Sequence, residues 1–153
     1  MFSNFITMAE FTLKGDGNYL KIELVEVYGF SETTSYSGGY DTKSLVEIYS
    51  DGFKVSSIIW ISTGEIFEFY NMLKQVNQLL AGTAYLYHLE GNLEFNAAYG
   101  NNGHVSISGI FSKQNMLANR LKFHFESDQS YIQSTLIELE AITSMYGGMK
   151  GVK

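Results

Sequence analysis

Two histidines and a glutamate have the types and spacing to do chemistry in this chain of 153 residues: His104, His124 and Glu126. In a strand, His124 and Glu126 project from one face, and a hairpin turning near Asn115 brings His104 beside them. Two imidazoles and a carboxylate can bind a divalent metal or act as an acid/base pair. They are also ordinary cross-strand partners on an exposed sheet face, and matches this loose are mostly chance. His88-Leu89-Glu90 repeats part of a zinc-deaminase signature, but that chemistry needs thiolate ligands and the chain has no Cys. Asp16, Asp51 and Asp128 sit beside turn glycines or at a helix start, where turn and cap duty accounts for them. Asp41, after Gly38-Gly39-Tyr40, is not accounted for in that way. Glu65 and Glu68 fall in the first turn of a helix, where negative charge suits the dipole. There is no phosphate-binding loop, nucleotide fingerprint or nucleophile elbow. The expectation is therefore no catalytic residue, no metal and no cofactor.

Residues 28–41 suit recognition better than catalysis. Tyr28-Gly29-Phe30-Ser31-Glu32-Thr33-Thr34-Ser35-Tyr36-Ser37-Gly38-Gly39-Tyr40-Asp41 is long for a connection between strands. Tyr offers large amphipathic contact area at low entropic cost, while Ser and Gly adapt. Tyr28, Phe30, Tyr36, Tyr40 and Asp41 are the candidate partner-binding residues. Tyr36 and Tyr40 are expected to act alike, so removing both should weaken binding with little change in melting temperature.

These residues are positioned by a regular succession of elements. Phe11–Lys14 and Tyr19–Tyr28 flank Gly15-Asp16-Gly17-Asn18, a hairpin signal. In the second of them the apolar phase moves from Leu20, Ile22 and Leu24 to Val25 and Val27, which predicts a bulge. Leu45–Ser50 and Phe53–Ile61 flank Asp51-Gly52. Trp60 lies off the apolar face of that last strand, which places it under a helix or at a rim. Ser62-Thr63-Gly64-Glu65 has capping-box spacing, and Ile66, Phe69, Tyr70, Leu73, Asn77 and Leu80 follow at helical spacing, with Val76 and Leu79 widening the stripe, until Gly82. The second half repeats this order: Thr83–Leu89, Leu93–Ala98, His104–Phe111 and Leu121–Phe125 as strands, then a helix begun by Ser127-Asp128-Gln129-Ser130 with Ile132, Leu136, Leu139 and Ile142 buried. The predicted fold is α+β: a strongly bent antiparallel sheet or partial barrel of about eight strands with two helices, ββββα twice. It forms one domain over 8–146. Residues 147–153 are expected to fray, and residues 1–7 to be a flexible or optional extension before Met8-Ala9-Glu10.

Composition narrows the function further. The net charge is −6, which disfavours a nucleic-acid partner. With no Pro, where average usage of about 5% would give roughly seven, every turn falls to Gly, Asn and Asp. No secretion signal is visible and no apolar run approaches a membrane span, which points to the cytoplasm.

Several segments resemble the WapI-type immunity proteins. They are Phe11-Thr12-Leu13-Lys14-Gly15 with Tyr19-Leu20-Lys21-Ile22-Glu23-Leu24, then Tyr40-Asp41 entering a strand, and Glu65-Ile66-Phe67-Glu68-Phe69 opening the middle helix. The most specific is Leu121-Lys122-Phe123-His124-Phe125-Glu126-Ser127-Asp128-Gln129-Ser130-Tyr131, where a strand ends in an acidic corner before a helix. The resemblance runs from about Phe11 to Tyr146. It implies a small cytoplasmic, non-enzymatic protein that binds and blocks the C-terminal domain of a secreted polymorphic toxin, and the matching residues are structural corners. An acidic surface would suit a basic toxin domain. The alternative is a small-ligand carrier whose bent sheet encloses an apolar pocket. A monomer or a homodimer paired through open sheet edges is compatible with either.

Overall fold

The computed structural model describes residues 9–113 and 119–152. The expectation for residues 1–7 lies outside that range. Four strands come first: β1 (Glu10–Lys14), β2 (Tyr19–Val27), β3 (Asp41–Ser50) and β4 (Phe53–Ser62), followed by helix α1 (Thr63–Leu79). Then come β5 (Gly82–Tyr87), β6 (Leu93–Tyr99), a short 3-10 turn at Asn101–Gly103, β7 (His104–Ser112), β8 (Arg120–Asp128) and helix α2 (Gln129–Tyr146). The α+β class and the repeated ββββα order hold. The eight strands, however, form two antiparallel four-stranded sheets, β1-β2-β3-β4 and β5-β6-β7-β8, not closed into a barrel. The physical reason is α1: it starts directly after β4 and packs on β5, so those two strands never become ladder neighbours.

Local chemistry explains the elements. Asp51 and Gly52 have φ of 51° and 88°, the doubly left-handed geometry of a tight hairpin turn. The register of β2 against β3 breaks between Leu24 and Glu26, where the apolar phase slips. At the start of α1 the Glu65 amide donates to Ser62 Oγ at 3.1 Å, and the Ser62 amide donates to Glu65 Oε1 at 2.9 Å. Ser62→Ala is expected to cost about 1 kcal/mol of stability, measured by urea unfolding; no loss would mean the cap is redundant. The helix ends before Gly82, on Leu80 in a left-handed conformation (φ 54°), which leaves Leu79 and Leu80 exposed.

One apolar cluster joins everything. Leu20, Ile22, Val46 and Ile61 come from the first sheet, Leu86, Phe95, Ile107 and Phe125 from the second, Phe69 and Leu73 from α1, and Ile132 and Leu139 from α2. The two halves also exchange hydrogen bonds. The Thr12 amide donates to Glu138 Oε1 at 3.0 Å and Thr135 Oγ1 donates to the Thr12 carbonyl at 2.6 Å, seating α2 along β1. Ser127 Oγ donates to the Lys14 carbonyl at 2.5 Å, tying β8 to the first hairpin. In the second sheet Gly109 stands in register between Phe95 and Phe123. A Cβ there would lie 2.5 Å from the Glu94 carbonyl oxygen, 2.6 Å from Phe123 and 2.7 Å from Phe95. The Phe123 ring and the Phe95 Cβ occupy the space that a side chain at position 109 would need.

Candidate partner-binding site

Past its bulge, β2 delivers the chain to Tyr28, whose amide donates to the Asp41 carbonyl at 2.8 Å. Between these residues the loop is built on its own polar groups. The Glu32 and Thr33 amides both donate to the Gly29 carbonyl at 2.7 Å, and the Ser35 amide donates to the Gly39 carbonyl at 2.7 Å. Ser35 Oγ donates to Asp41 Oδ1 at 2.6 Å.

The loop is seated on the first turn of α1. The Tyr40 amide donates to Thr63 Oγ1 at 2.8 Å, and the Thr63 amide returns a bond to the Tyr40 carbonyl at 2.8 Å. Gly39 (φ 61°) and Gly64 allow this approach, since a Cβ on Gly39 would fall 2.1 Å from Thr63 Oγ1 and one on Gly64 2.4 Å from the Gly38 carbonyl carbon. A second support comes from the segment after α2. Its Met149 carbonyl accepts from the Gly39 amide at 2.7 Å, and its Val152 amide donates to the Tyr40 hydroxyl at 3.0 Å. Where a fraying tail is expected, residues 147–152 thus have specific partners, because Gly147 and Gly151 (φ 76° and 71°) let the chain double back.

The five candidate residues fall into different environments. Tyr36 is 99% exposed. Tyr28 and Phe30 are half-exposed and Asp41 is exposed. Tyr40 is completely buried, its ring 5.2 Å from Phe30 in an edge contact and its hydroxyl donating to the Ser31 carbonyl. It holds the loop in place, so the equivalence of Tyr36 and Tyr40 expected from sequence does not survive. Phe30 also meets Tyr146 edge-on at 5.1 Å, which ties it to α2.

Tyr28, Tyr36 and Asp41 line a cavity of 490 Å³ together with Trp60, Glu65, Leu89 and Glu90. Trp60 is at the rim, half-exposed, with its ring 6.2 Å from that of Tyr28 and 28° from parallel. The bond from the Tyr28 hydroxyl to Glu26 Oε2, 2.6 Å, pushes the Tyr28 phenol above its ordinary pKa. The turn after β5 completes the wall: His88 Nε2 lies 2.6 Å from the Trp60 carbonyl, and the Leu89 amide donates to Glu65 Oε2 at 2.7 Å. Sequence reasoning missed Leu89 and Glu90, which reach the site only through the fold. Trp60 did carry a signal, its place off the apolar face of its strand.

The histidine cluster also assembles. His124 Nε2 is 2.7 Å from Glu126 Oε1, His104 Nε2 contacts Glu126 Oε2, and Ser106 Oγ donates to the same oxygen at 3.1 Å. The His124 bond, followed by those of Ser106 and His104, holds the Glu126 carboxyl below the usual carboxylate range. All three side chains are about half exposed, and among the described residues no group of His, Asp and Glu has a metal-holding arrangement. A carboxyl with a lowered folded-state pKa adds stability above its unfolded pKa and loses it as pH falls through the lowered value. Glu126→Gln is therefore expected to flatten the acid side of the stability profile below about pH 4.5, read by urea unfolding at stepped pH. An unchanged profile would show the cluster to be energetically silent.

A larger groove of 660 Å³ lies open on the outer face of the second sheet, between Tyr85, Tyr87, Asn96, Ile110, Lys122 and His124. It is not the enclosed interior of a bent sheet on which the carrier alternative depends.

The model of the immunity protein WapI-like family matches residues 11–147, from β1 through α2. A comparison with curated proteins gives no match.

Proposed function

The chain belongs to the immunity protein WapI-like family, and on that premise we propose that it binds and neutralises the C-terminal domain of a secreted polymorphic toxin, in the cytoplasm and without catalysis of its own. The family match over residues 11–147 carries this reading. The 28–41 loop supports it, since a loop already fixed by α1 and residues 147–152 loses little conformational freedom on binding. Among the described residues no helix is long and apolar enough to cross a membrane. In this reading Tyr28, Phe30, Tyr36 and Asp41 meet the toxin domain, with Trp60 and Leu89 beside them and Tyr40 underneath.

The test is to co-express the chain with the C-terminal domain of a polymorphic toxin, the proposal expecting one to be encoded beside it, and to score survival. Protection is expected; continued killing in the presence of soluble, folded protein would reject the proposal. Tyr36→Ala is expected to weaken the complex about tenfold or more, because a fully exposed Tyr on a fixed loop has the character of a binding anchor. Calorimetric titration against the toxin domain measures it.

A further inference from the structure

We propose that the cavity under the 28–41 loop receives a single cationic side chain of the partner protein, arginine in preference to lysine. The inference rests on the immunity reading for the partner's identity and on the cavity alone for its chemistry.

The cavity of 490 Å³ has aromatic walls: Tyr28 and Trp60 stacked at 6.2 Å, both partly open to solvent, with the fully exposed Tyr36 beside them. Faces of Trp and Tyr attract cations through the negative side of the ring quadrupole. The other lining groups with charge are Asp41, Glu65 and Glu90, which come from β3, α1 and the turn after β5. Among the described residues the lining includes no Lys, Arg or His; Lys43, opposite Trp60 in the register, is not one of them.

Asp41 and Glu65 are held in place by hydrogen bonds. Asp41 accepts from Ser35 Oγ at 2.6 Å, while Glu65 accepts from the Ser62 and Leu89 amides at 2.9 and 2.7 Å. Carboxylates held beside aromatic rings in one cavity offer an arriving cation both charge and a ring face. A planar guanidinium can stack on a ring and still donate sideways to a carboxylate. An ammonium satisfies the charge without the stacking plane. The volume leaves room for the residues flanking such a side chain.

Trp60 is the single tryptophan of the chain, so its emission reports on this cavity directly. The experiment titrates the intact protein with N-acetyl-arginine amide, N-acetyl-lysine amide and the neutral near-isostere N-acetyl-citrulline amide. Saturable change is expected with arginine in the millimolar range, at least threefold weaker with lysine and absent with citrulline. Asp41→Asn and Glu90→Gln, each checked for an unchanged melting temperature, are expected to weaken arginine binding at least threefold. Equal responses to arginine and citrulline, no saturable response to arginine, or undiminished binding in both variants would overturn the proposal. The toxin-protection assay separates the two readings. Protection with no arginine response rejects the cation cavity and leaves the immunity reading. An arginine response with no protection supports the cavity and rejects the immunity reading.

Discussion

Tyr40→Ala is expected to destabilise the protein by about 3–5 kcal/mol, the range for truncating a buried aromatic, while Tyr36→Ala should change stability by less than about 0.5 kcal/mol. The difference follows from burial: Tyr40 is completely buried and Tyr36 is 99% exposed. Truncation at position 40 opens a void beside Phe30. It also strands the Ser31 carbonyl and the Val152 amide, both of which bond the Tyr40 hydroxyl. Tyr40→Phe isolates that part, with an expected loss of about 1 kcal/mol. Urea unfolding of the three variants decides the matter. Equal midpoints for Tyr40→Ala and the parent would refute the account of the loop as a packed unit. Because Tyr40 also carries one of the loop's bonds to the segment after α2, Tyr40→Ala is expected to impair the proposed toxin binding through misplacement, with the candidate contact residues themselves intact.

The second large effect is expected at Gly109. Gly109→Val should cost about 3 kcal/mol or more by overpacking, lowering the melting temperature by roughly 6–12 °C for a domain of this size. Phe95 and Phe123 converge on position 109 from the two flanking strands, and the Glu94 carbonyl closes the third side at 2.5 Å from where a Cβ would be. A ring can rotate, but a carbonyl within a ladder cannot retreat without breaking it. Ser108→Ala, one residue away on the partly exposed outer face, is the control and should be nearly neutral. A Gly109→Val variant as stable as that control would show that the sheet relaxes where this packing says it cannot.

Features encoded by adjacent residues were legible in the sequence. Asp51-Gly52 announces its hairpin, the phase slip after Leu24 announces the bulge, and the Ser62/Glu65 pair announces α1. Each depends on backbone geometry over a few residues. The apolar alternation, which begins at Leu45, missed the start of β3 at Asp41 that the family resemblance marked, because Thr42 and Ser44 are polar on the buried face. They are tolerated there since Thr42 Oγ1 bonds Ser44 Oγ at 2.7 Å and the Ile61 carbonyl at 2.6 Å. The separation of the sheets was illegible because it depends on where α1 packs, which no pattern within β4 or β5 records. The candidate site was half legible. Tyr and Ser composition marked the loop, but composition cannot tell a Tyr that faces solvent from one pinned under the loop by Val152.

The seating of α2 along β1 bears on the order in which the chain can fold. Both backbone groups of Thr12 find partners on α2, at Thr135 and Glu138, more than a hundred residues later. Each four-stranded meander pairs only consecutive strands, so its ladders close early and cheaply as the chain is synthesised. The flank of β1 has no such local partner. That flank is completed only once α2 has been made, so until then β1 is bonded along one edge alone. For a protein proposed to meet a toxin in the same cell, the 28–41 loop gains its second brace only once α2 and residues 147–152 have been made.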